Sequence, residues 1–420
     1  VVISPVRRNA LFVLALSATI LNLVDRQIIA VLKPMIETDL HWSDDDYGTL
    51  AAWFQGSAAI AFLFTGWIVD KVGVKWANPL GVTLWSVAAM AHAAALTFVQ
   101  FVFCRISLGA TEAMGTPAAI KTIAAIFPPA RRSTGYGLLN MVGSLGAIVT
   151  PLLIPLLATA WGWRSAFLLG GALGLVWTVL WLITVRGVDF SGGFDADAKP
   201  ALIAAPGSVL RERRTWAIAA AKFLSDATWW LMLFWMPDFF HRSFGLEGIA
   251  LGPPLAFAYS CSALGALIAG TTATRLLARG INLEKVRKGS LLVAALCALP
   301  LPFADYVHDY WLAVALVGLV MGAHQAFSSS LFALIADISP PEKVGRVTSF
   351  GAFAGNIGGM VIAKVAGLVL AAGLGYLPLF VFAGFSYLMA VGVIQLLLPR
   401  LPLDGIQAGV GDREARPAGH

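Results

Sequence analysis

Apolar residues in this chain fall in runs of about twenty, separated by short polar breaks, and within the runs apolar and polar positions do not alternate. A spanning helix needs about twenty apolar residues, whereas a spanning strand needs about ten with dyad alternation. Lipid gives the backbone no hydrogen-bond partner, so such runs must form helices or a closed barrel, and this pattern selects helices. Twelve spans are predicted, over 10–35, 47–69, 77–97, 99–126, 135–158, 164–185, 216–240, 250–274, 287–304, 310–336, 347–372 and 377–398. The expected fold class is an all-α membrane protein with twelve transmembrane helices.

The longest polar break, RGVDFSGGFDADAKPALIAAPGSVLRERR, divides the spans six and six. This predicts a six-helix bundle over 1–186, a cytoplasmic linker over 187–214, a second bundle over 215–399 and a disordered polar tail over 400–420. The loop GWIVDKVGVKWA between spans two and three has a counterpart, GTTATRLLARG, in the second half. Gly66, Asp70 and Lys71 align with Gly270, Thr274 and Arg275; the spacing persists without the acid, as a duplicated half would leave it.

Composition agrees: of 420 residues, 58% are hydrophobic and 12% charged, about half the charge content of a soluble domain. A net charge of +6 would suggest nucleic acid in a soluble protein, but here the basic residues gather in loops on one side. With the amino terminus inside, that side holds Arg7, Arg8, Lys71, Lys75, Arg131 and Arg132, and then the linker, 275–288, Lys343, Arg346 and the tail. The other side keeps Lys33, Arg164 and Arg242, so both termini are predicted cytoplasmic, in an inner membrane. The opening VVISPVRRNALF has a basic region before an apolar run but no small-residue cleavage site, which predicts a first spanning helix, not a cleaved signal. Cys104, Cys261 and Cys297 show no disulfide or metal spacing. No nucleophile–base pair, metal pattern or phosphate loop stands out, so neither an enzyme nor a cofactor is expected. The partners expected are the bilayer and a small organic anion, for a monomeric chain.

The candidate chemistry is charge inside the spans. In ILNLVDRQIIAV, Asp25 and Arg26 stand side by side, about fifteen residues or about 22 Å from the cytoplasmic end. Glu112 lies about 21 Å deep in the fourth span, and Arg105 sits two turns away on the same face. Two acids and two arginines at one level can nearly neutralise one another. An apolar cavity favours the neutral acid and an adjacent arginine the carboxylate, so protonation is switched by whether the arginine stays paired. An arginine freed by a proton can hold a substrate carboxylate by two hydrogen bonds. The structural alternative is an ion network that only fixes helix packing.

In the second half, Lys222 and Asp226 are an i,i+4 pair that either touches substrate or only braces the helix. His324, Gln325, Ser328 and Ser329 in GAHQAFSSS, with Asn356, are at mid-depth, to read hydroxyls or to bond between helices. Lys364 can snorkel outward, and Trp229 and Trp230 can stack on a ligand ring or simply pack. Asp337 and Arg346 bracket a loop holding Glu342 and Lys343, an arrangement suited to a cytoplasmic gate. Gly143, Gly146 and Pro151 in GSLGAIVTP allow close, deformable helix contact.

These motifs resemble the major facilitator superfamily. GWIVDKVGVKW is similar to its loop signature, which places Gly66, Asp70, Lys71, Gly73 and Lys75 in a gating motif. RISLGATEA resembles the fourth-helix arginine motif and GSLGAIVTP the fifth-helix one. NLVDRQ, RISLGATEAMGTPAAIKTIAAIFPPARRSTGYG, GWRSAF, KFLSDATWW, AHQAFSSS and DISPPEKVG look like the anion:cation symporter family, hexuronate transporters in particular. The resemblance implies two six-helix bundles related by a pseudo-two-fold axis, alternating access, and proton-driven uptake of an organic anion, with sodium an open alternative as coupling ion. It implies Asp25 and Glu112 as proton acceptors, Arg26 exchanging between Glu112 and substrate, and Arg105 helping to hold the anion. Lys121, His324, Gln325 and Asn356 also fall on positions familiar in the family, and with Trp230 they complete the candidate substrate-binding set. Two departures stand out: Leu23 and Ala58 occupy places where the family usually has tyrosine. Their absence makes the pocket wider and more apolar, which leaves aromatic and small aliphatic carboxylates beside sugar acids. Anion exchange and a transporter-like anion sensor are the alternative functions, and a linker of about 28 residues without a recognisable domain speaks against the sensor.

Overall fold

The computed structural model describes residues 4–188, 190 and 207–401. Most of the proposed linker and nearly all of the tail therefore lie outside the described residues, as do the side chains of Arg131 and Glu342 and the surroundings of Gly143. The first half consists of α1 (Pro5–Val31), α2 (Lys33–Leu40), α3 (Asp44–Val72), α4 (Val74–Ala94), α5 (Phe98–Glu112), α6 (Gly115–Ile126), α7 (Pro129–Trp161) and α8 (Trp163–Thr184). A four-residue helix, α9 (Gly207–Leu210), precedes the second half. That half comprises α10 (Arg213–Phe244), α11 (Gly252–Ala278), α12 (Leu283–Ala298), α13 (Tyr310–Ile338), α14 (Pro341–Ala371) and α15 (Leu377–Leu397). No strand occurs among the described residues.

Most predicted spans fall on one helix. The first, 10–35, runs from α1 across Leu32 into α2, and the ninth, 287–304, extends past α12 into a 3-10 turn (Leu301–Asp305). The fourth is split into α5 and α6 at Ala113 and Met114. Pro117, in the first turn of α6, has no N–H to return to residue 113, so the ladder breaks there. The break leaves Glu112 on the last turn of α5, where helix carbonyls favour a nearby cation. Nine helical segments among the described residues are long and apolar enough to cross a bilayer by length and composition. Helix starts follow local chemistry: Ser43 and Asp46 form a capping box on α3, as Thr97 and Gln100 do on α5.

α1 begins and α15 ends on one face of the bundle, which we term the terminal face; the opposite one is the distal face. The halves meet most closely toward the distal face, where α3 crosses α14. A Cβ on Gly48 would lie 2.7 Å from the Ala363 carbonyl oxygen and 2.9 Å from Gly367 Cα, so the two backbones touch. Nearer the terminal face, Phe64 and Trp67 of α3 are 57% and 59% exposed, so α14 no longer covers it there. On the other flank α7 meets α11, where a Cβ on Gly252 would lie 3.0 Å from the Pro151 carbonyl oxygen. The turn between α3 and α4 is made by Gly73 at φ +78°, a conformation glycine adopts without strain.

Candidate functional site

The centre of the first half is built on α1, α3 and α5. Arg26 Nε donates to Glu112 Oε2 at 2.6 Å, with the acid side chain fully buried and the arginine 13% exposed. Asn22, one turn earlier on α1, donates to the Glu112 backbone carbonyl at 3.4 Å and ties the same two helices. The guanidinium lies 5.6 Å from the Phe54 ring centroid and 5.8 Å from that of Trp230. Trp230 belongs to α10, so Arg26 is a first-half cation that reaches an aromatic wall of the second half. Trp230 is in turn stacked on Phe234.

The four charges lie within electrostatic reach of one another, but only Arg26 and Glu112 are joined by a hydrogen bond among the described residues. Asp25 and Arg26 are neighbours, about 100° apart around the helix, so their side chains leave α1 in different directions. Asp25 turns toward α8: a Cβ on Gly170 would lie 2.7 Å from Asp25 Oδ1. Both of its carboxylate oxygens are buried without a hydrogen bond among the described residues. Arg105 is wholly buried, and its three guanidinium nitrogens likewise lack a hydrogen-bond partner. Its guanidinium sits 5.1 Å from the Phe54 centroid, so the Phe54 ring has both arginines within cation–π range. A buried, unbonded guanidinium is costly unless something else satisfies its five donors. The arrangement thus holds one paired arginine, one unpaired arginine and one unpaired acid.

In the second half, Lys222 Nζ and Asp226 Oδ2 pair at 2.8 Å along α10, and the Asp226 carboxylate packs against Gly355 of α14. His324 Nδ1 lies 3.0 Å from the Tyr387 hydroxyl, and its ring stacks on Trp229 at 4.9 Å. Asn356 donates to the Ala352 carbonyl of its own helix at 2.9 Å, and Ser329 to that of Ala326 at 3.1 Å. Gln325 is half-buried on α13, beside His324 in sequence. Lys364 turns outward, bonding Asp45 and, at 2.8 Å, the Thr49 hydroxyl of α3.

The residues of the loop signature lie near the terminal face. Asp70 pairs with Lys121 of α6, which places Lys121 against the loop motif and not beside Arg26. Lys71 lies over the Trp67 ring and Lys75 over that of Trp76. Gly66 has open space where a Cβ would be. Asp337 accepts from Arg287 Nε of α12 at 2.6 Å, so its partner comes from the neighbouring helix; Arg346 occupies the second turn of α14. Lys343 donates to Glu212 at 2.6 Å, joining the starts of α14 and α10.

Sequence reading missed two features. Gln55 of α3 is fully buried with both amide atoms unbonded among the described residues, and its Nε2 would lie 2.9 Å from a Cβ on Gly359 of α14. A lone amide in the apolar run AAWFQGSAAIAF was the available signal. The second is a distal cluster around Lys33, whose ammonium bonds Asp238 at 2.6 Å, Glu37 at 2.8 Å and Asp44 at 2.9 Å. Arg242 pairs with both Asp44 and Asp238, and the Tyr376 hydroxyl donates to Asp238. Glu37, Asp44 and Asp238 have the spacing of a metal-ligand group, but the Lys33 ammonium already stands among them. Nearby on the same face, hydrogen bonds from Trp163 and Arg164 hold the Asp39 carboxyl below its ordinary range. The two missing tyrosines are also placed. Leu23 packs on α7, its Cβ 3.2 Å from where one on Gly146 would be, and Ala58 is buried in α3.

A family model described as Major Facilitator Superfamily matches residues 15–363 and 255–410. A hexuronate transporter of Escherichia coli (strain K12) is 26% identical over 404 residues, covering 91% of this chain and 92% of the relative. A D-galactonate transporter of Escherichia coli O6:H1 is 23% identical over 418 residues, covering 93% and 96%. A probable galactarate/D-glucarate transporter of Escherichia coli (strain K12) is 23% identical, covering 91% and 93%. Among solved structures, a bacterial homologue of the human lysosomal transporter Spinster, inward-facing and occupied, is 18% identical. It superposes with a TM-score of 0.73 over 99% of this chain and 100% of that one. The same homologue, inward-facing and unoccupied, gives 0.70.

Proposed function

The chain belongs to the Major Facilitator Superfamily, and from that premise we propose that it is a secondary active transporter taking up an organic carboxylate together with protons. The proposed substrate is a hexuronate or related sugar acid, in keeping with the relatives named hexuronate, D-galactonate and galactarate/D-glucarate transporters. The observation that carries the reading is the Arg26–Glu112 pair. While Glu112 is ionised it occupies the Arg26 guanidinium; a proton on Glu112 cancels that attraction and releases Arg26 to a substrate carboxylate. Arg105, buried without a hydrogen bond, supplies the second cation, and Asp25 a second proton acceptor. Because Arg26 lies against Trp230 of the other half, an anion bound there would touch both halves and draw them together, as alternating access requires.

Within this proposal residues 1–186 and 215–399 are the two moving bundles, and the terminal face is cytoplasmic because the basic loops lie there. A second reading, carriage of an aromatic carboxylate, is favoured by the Phe54 and Trp230 rings around Arg26 and by Leu23 and Ala58 in place of tyrosines.

The test is uptake into proteoliposomes with and without an inward proton gradient, with sodium present or absent. Glucuronate, galacturonate, aldonates and aromatic acids are compared. Gradient-stimulated accumulation of a sugar acid is expected; its absence for every acid tried overturns the proposal.

A further inference from the structure

α11 and α12 are joined by a short turn, yet they diverge along their length, and α13 lies behind the gap. Sequence makes this possible: Gly265 of α11 meets Gly322 of α13 so closely that a Cβ on Gly265 would collide with the Gly322 carbonyl. α11 is thereby drawn onto α13 and away from α12. The result is a groove of about 730 Å³ on the membrane flank of the second half. Its floor is the small-residue face of α13, with Ala315, Gly318 and Gly322, and its walls are apolar stripes of α11 and α12.

Three observations identify an occupant. First, along α11 the groove runs from Phe257 to Leu276, a rise of about 28 Å, close to the hydrocarbon thickness of about 30 Å. Second, even the whole open space of the groove, about 1580 Å³, spread over that length gives a mean section of roughly 55 Å², below the roughly 80 Å² of a bare 10 Å helix cylinder. The groove therefore suits a hydrocarbon chain better than a helix of a second copy. Third, charge sits at one end. Lys285, in the first turn of α12, lines the groove at the terminal face, is exposed and forms no ion pair among the described residues. Of the other cations around this turn, Arg287 is engaged with Asp337 and Lys288 with Glu284, while Arg275 in the last turn of α11 is exposed and without an ion pair among the described residues. Arg279, the residue that closes α11 six positions before Lys285 in the chain, is also exposed and without an ion pair among the described residues. An apolar channel with free cations at the level of the headgroups matches an amphiphile with an anionic head.

We propose that this groove binds an anionic phospholipid, one acyl chain lying between α11 and α12 and the phosphate on Lys285 and Arg279. The bound chain fills the wedge and so braces α11 and α12 against α13.

The test is native mass spectrometry of the delipidated full-length protein with phosphatidylglycerol or phosphatidylcholine of identical chains. Wild type is expected to retain phosphatidylglycerol preferentially. Lys285→Ala and Arg279→Ala should each reduce that retention roughly fivefold, while Arg186→Ala, an exposed cation on the first half, should not. Gly289→Leu adds a side chain where nothing lies within 4 Å of a Cβ, so it should fill the groove without a clash and reduce retention of both lipids. Equal retention of the two lipids, or a preference unchanged by Lys285→Ala and Arg279→Ala, overturns the proposal. A mass of two chains that Gly289→Leu disperses would assign the groove to a second copy and overturn it equally.

Discussion

The Lys33 ammonium and the Asp238 carboxylate lie 2.6 Å apart and are both buried, although 205 residues separate them in the chain. One comes from the first half and the other from the second, so this pair, with Arg242–Asp44 and Lys364–Asp45, fastens the halves at the distal face. A buried pair is weak evidence for stability, but removing one partner leaves an uncompensated charge.

Lys33→Met is therefore expected to loosen the distal face, leaving three carboxylates with Arg242 alone. In a variant without native cysteines, spin labels at Thr38 and Ser243, both exposed near that face, should show a population at longer separation. Asp238→Asn should shift it in the same direction, and the double variant by less than the sum. An unchanged distance distribution in both single variants would remove Lys33–Asp238 as a gate.

Glu112→Gln keeps the shape of the acid and removes its charge, as a proton would. Gradient-driven accumulation should fall by roughly an order of magnitude or more, while substrate exchange without a gradient persists. Accumulation at the wild-type level would show that Glu112 is not the coupling acid.

Arg105 is a buried cation without a hydrogen-bond partner among the described residues, a state that costs stability. Arg105→Met should raise the melting temperature of the substrate-free protein and abolish its further rise on adding substrate. Arg105→Lys should retain the charge but weaken substrate binding about tenfold or more, because a point charge cannot replace the two-pronged guanidinium. A substrate-induced shift that survives Arg105→Met would take Arg105 out of the anion site.

Gly109 and Gly66 make a contrast. A Cβ on Gly109 would meet the Phe54 carbonyl and the Ser57 hydroxyl, so Gly109→Val should separate α3 from α5 and destabilise by about 1–3 kcal/mol. Gly66 has open space around it, and Gly66→Ala should leave the melting temperature unchanged. If Gly66→Ala nevertheless slows transport, the glycine serves a conformation in which the loop motif packs closely.

Much of the fold was legible in the chain because it depends on local runs. Apolar stretches located the spans, and mid-depth charges pointed to Arg26 and Glu112, which do pair. Depth arithmetic counted rise along the helix and neglected rotation about it. It therefore grouped Asp25 with Arg26, though their side chains leave α1 in different directions. Lys121 shows a different limit: the family resemblance placed it on the substrate side, and the structure puts it beside Asp70.

The sequence by itself determined that the chain crosses a membrane as helices and carries ionisable groups at mid-depth, since hydrophobicity and charge belong to each residue wherever it sits. Only the tertiary structure decided which charges meet. Lys33 finds Asp238, Arg26 reaches Trp230, and Arg105 is left without a hydrogen bond, because helix rotation and the docking of two halves set those distances. Contacts between residues far apart in the chain arise from packing many side chains at once, and no single run encodes them.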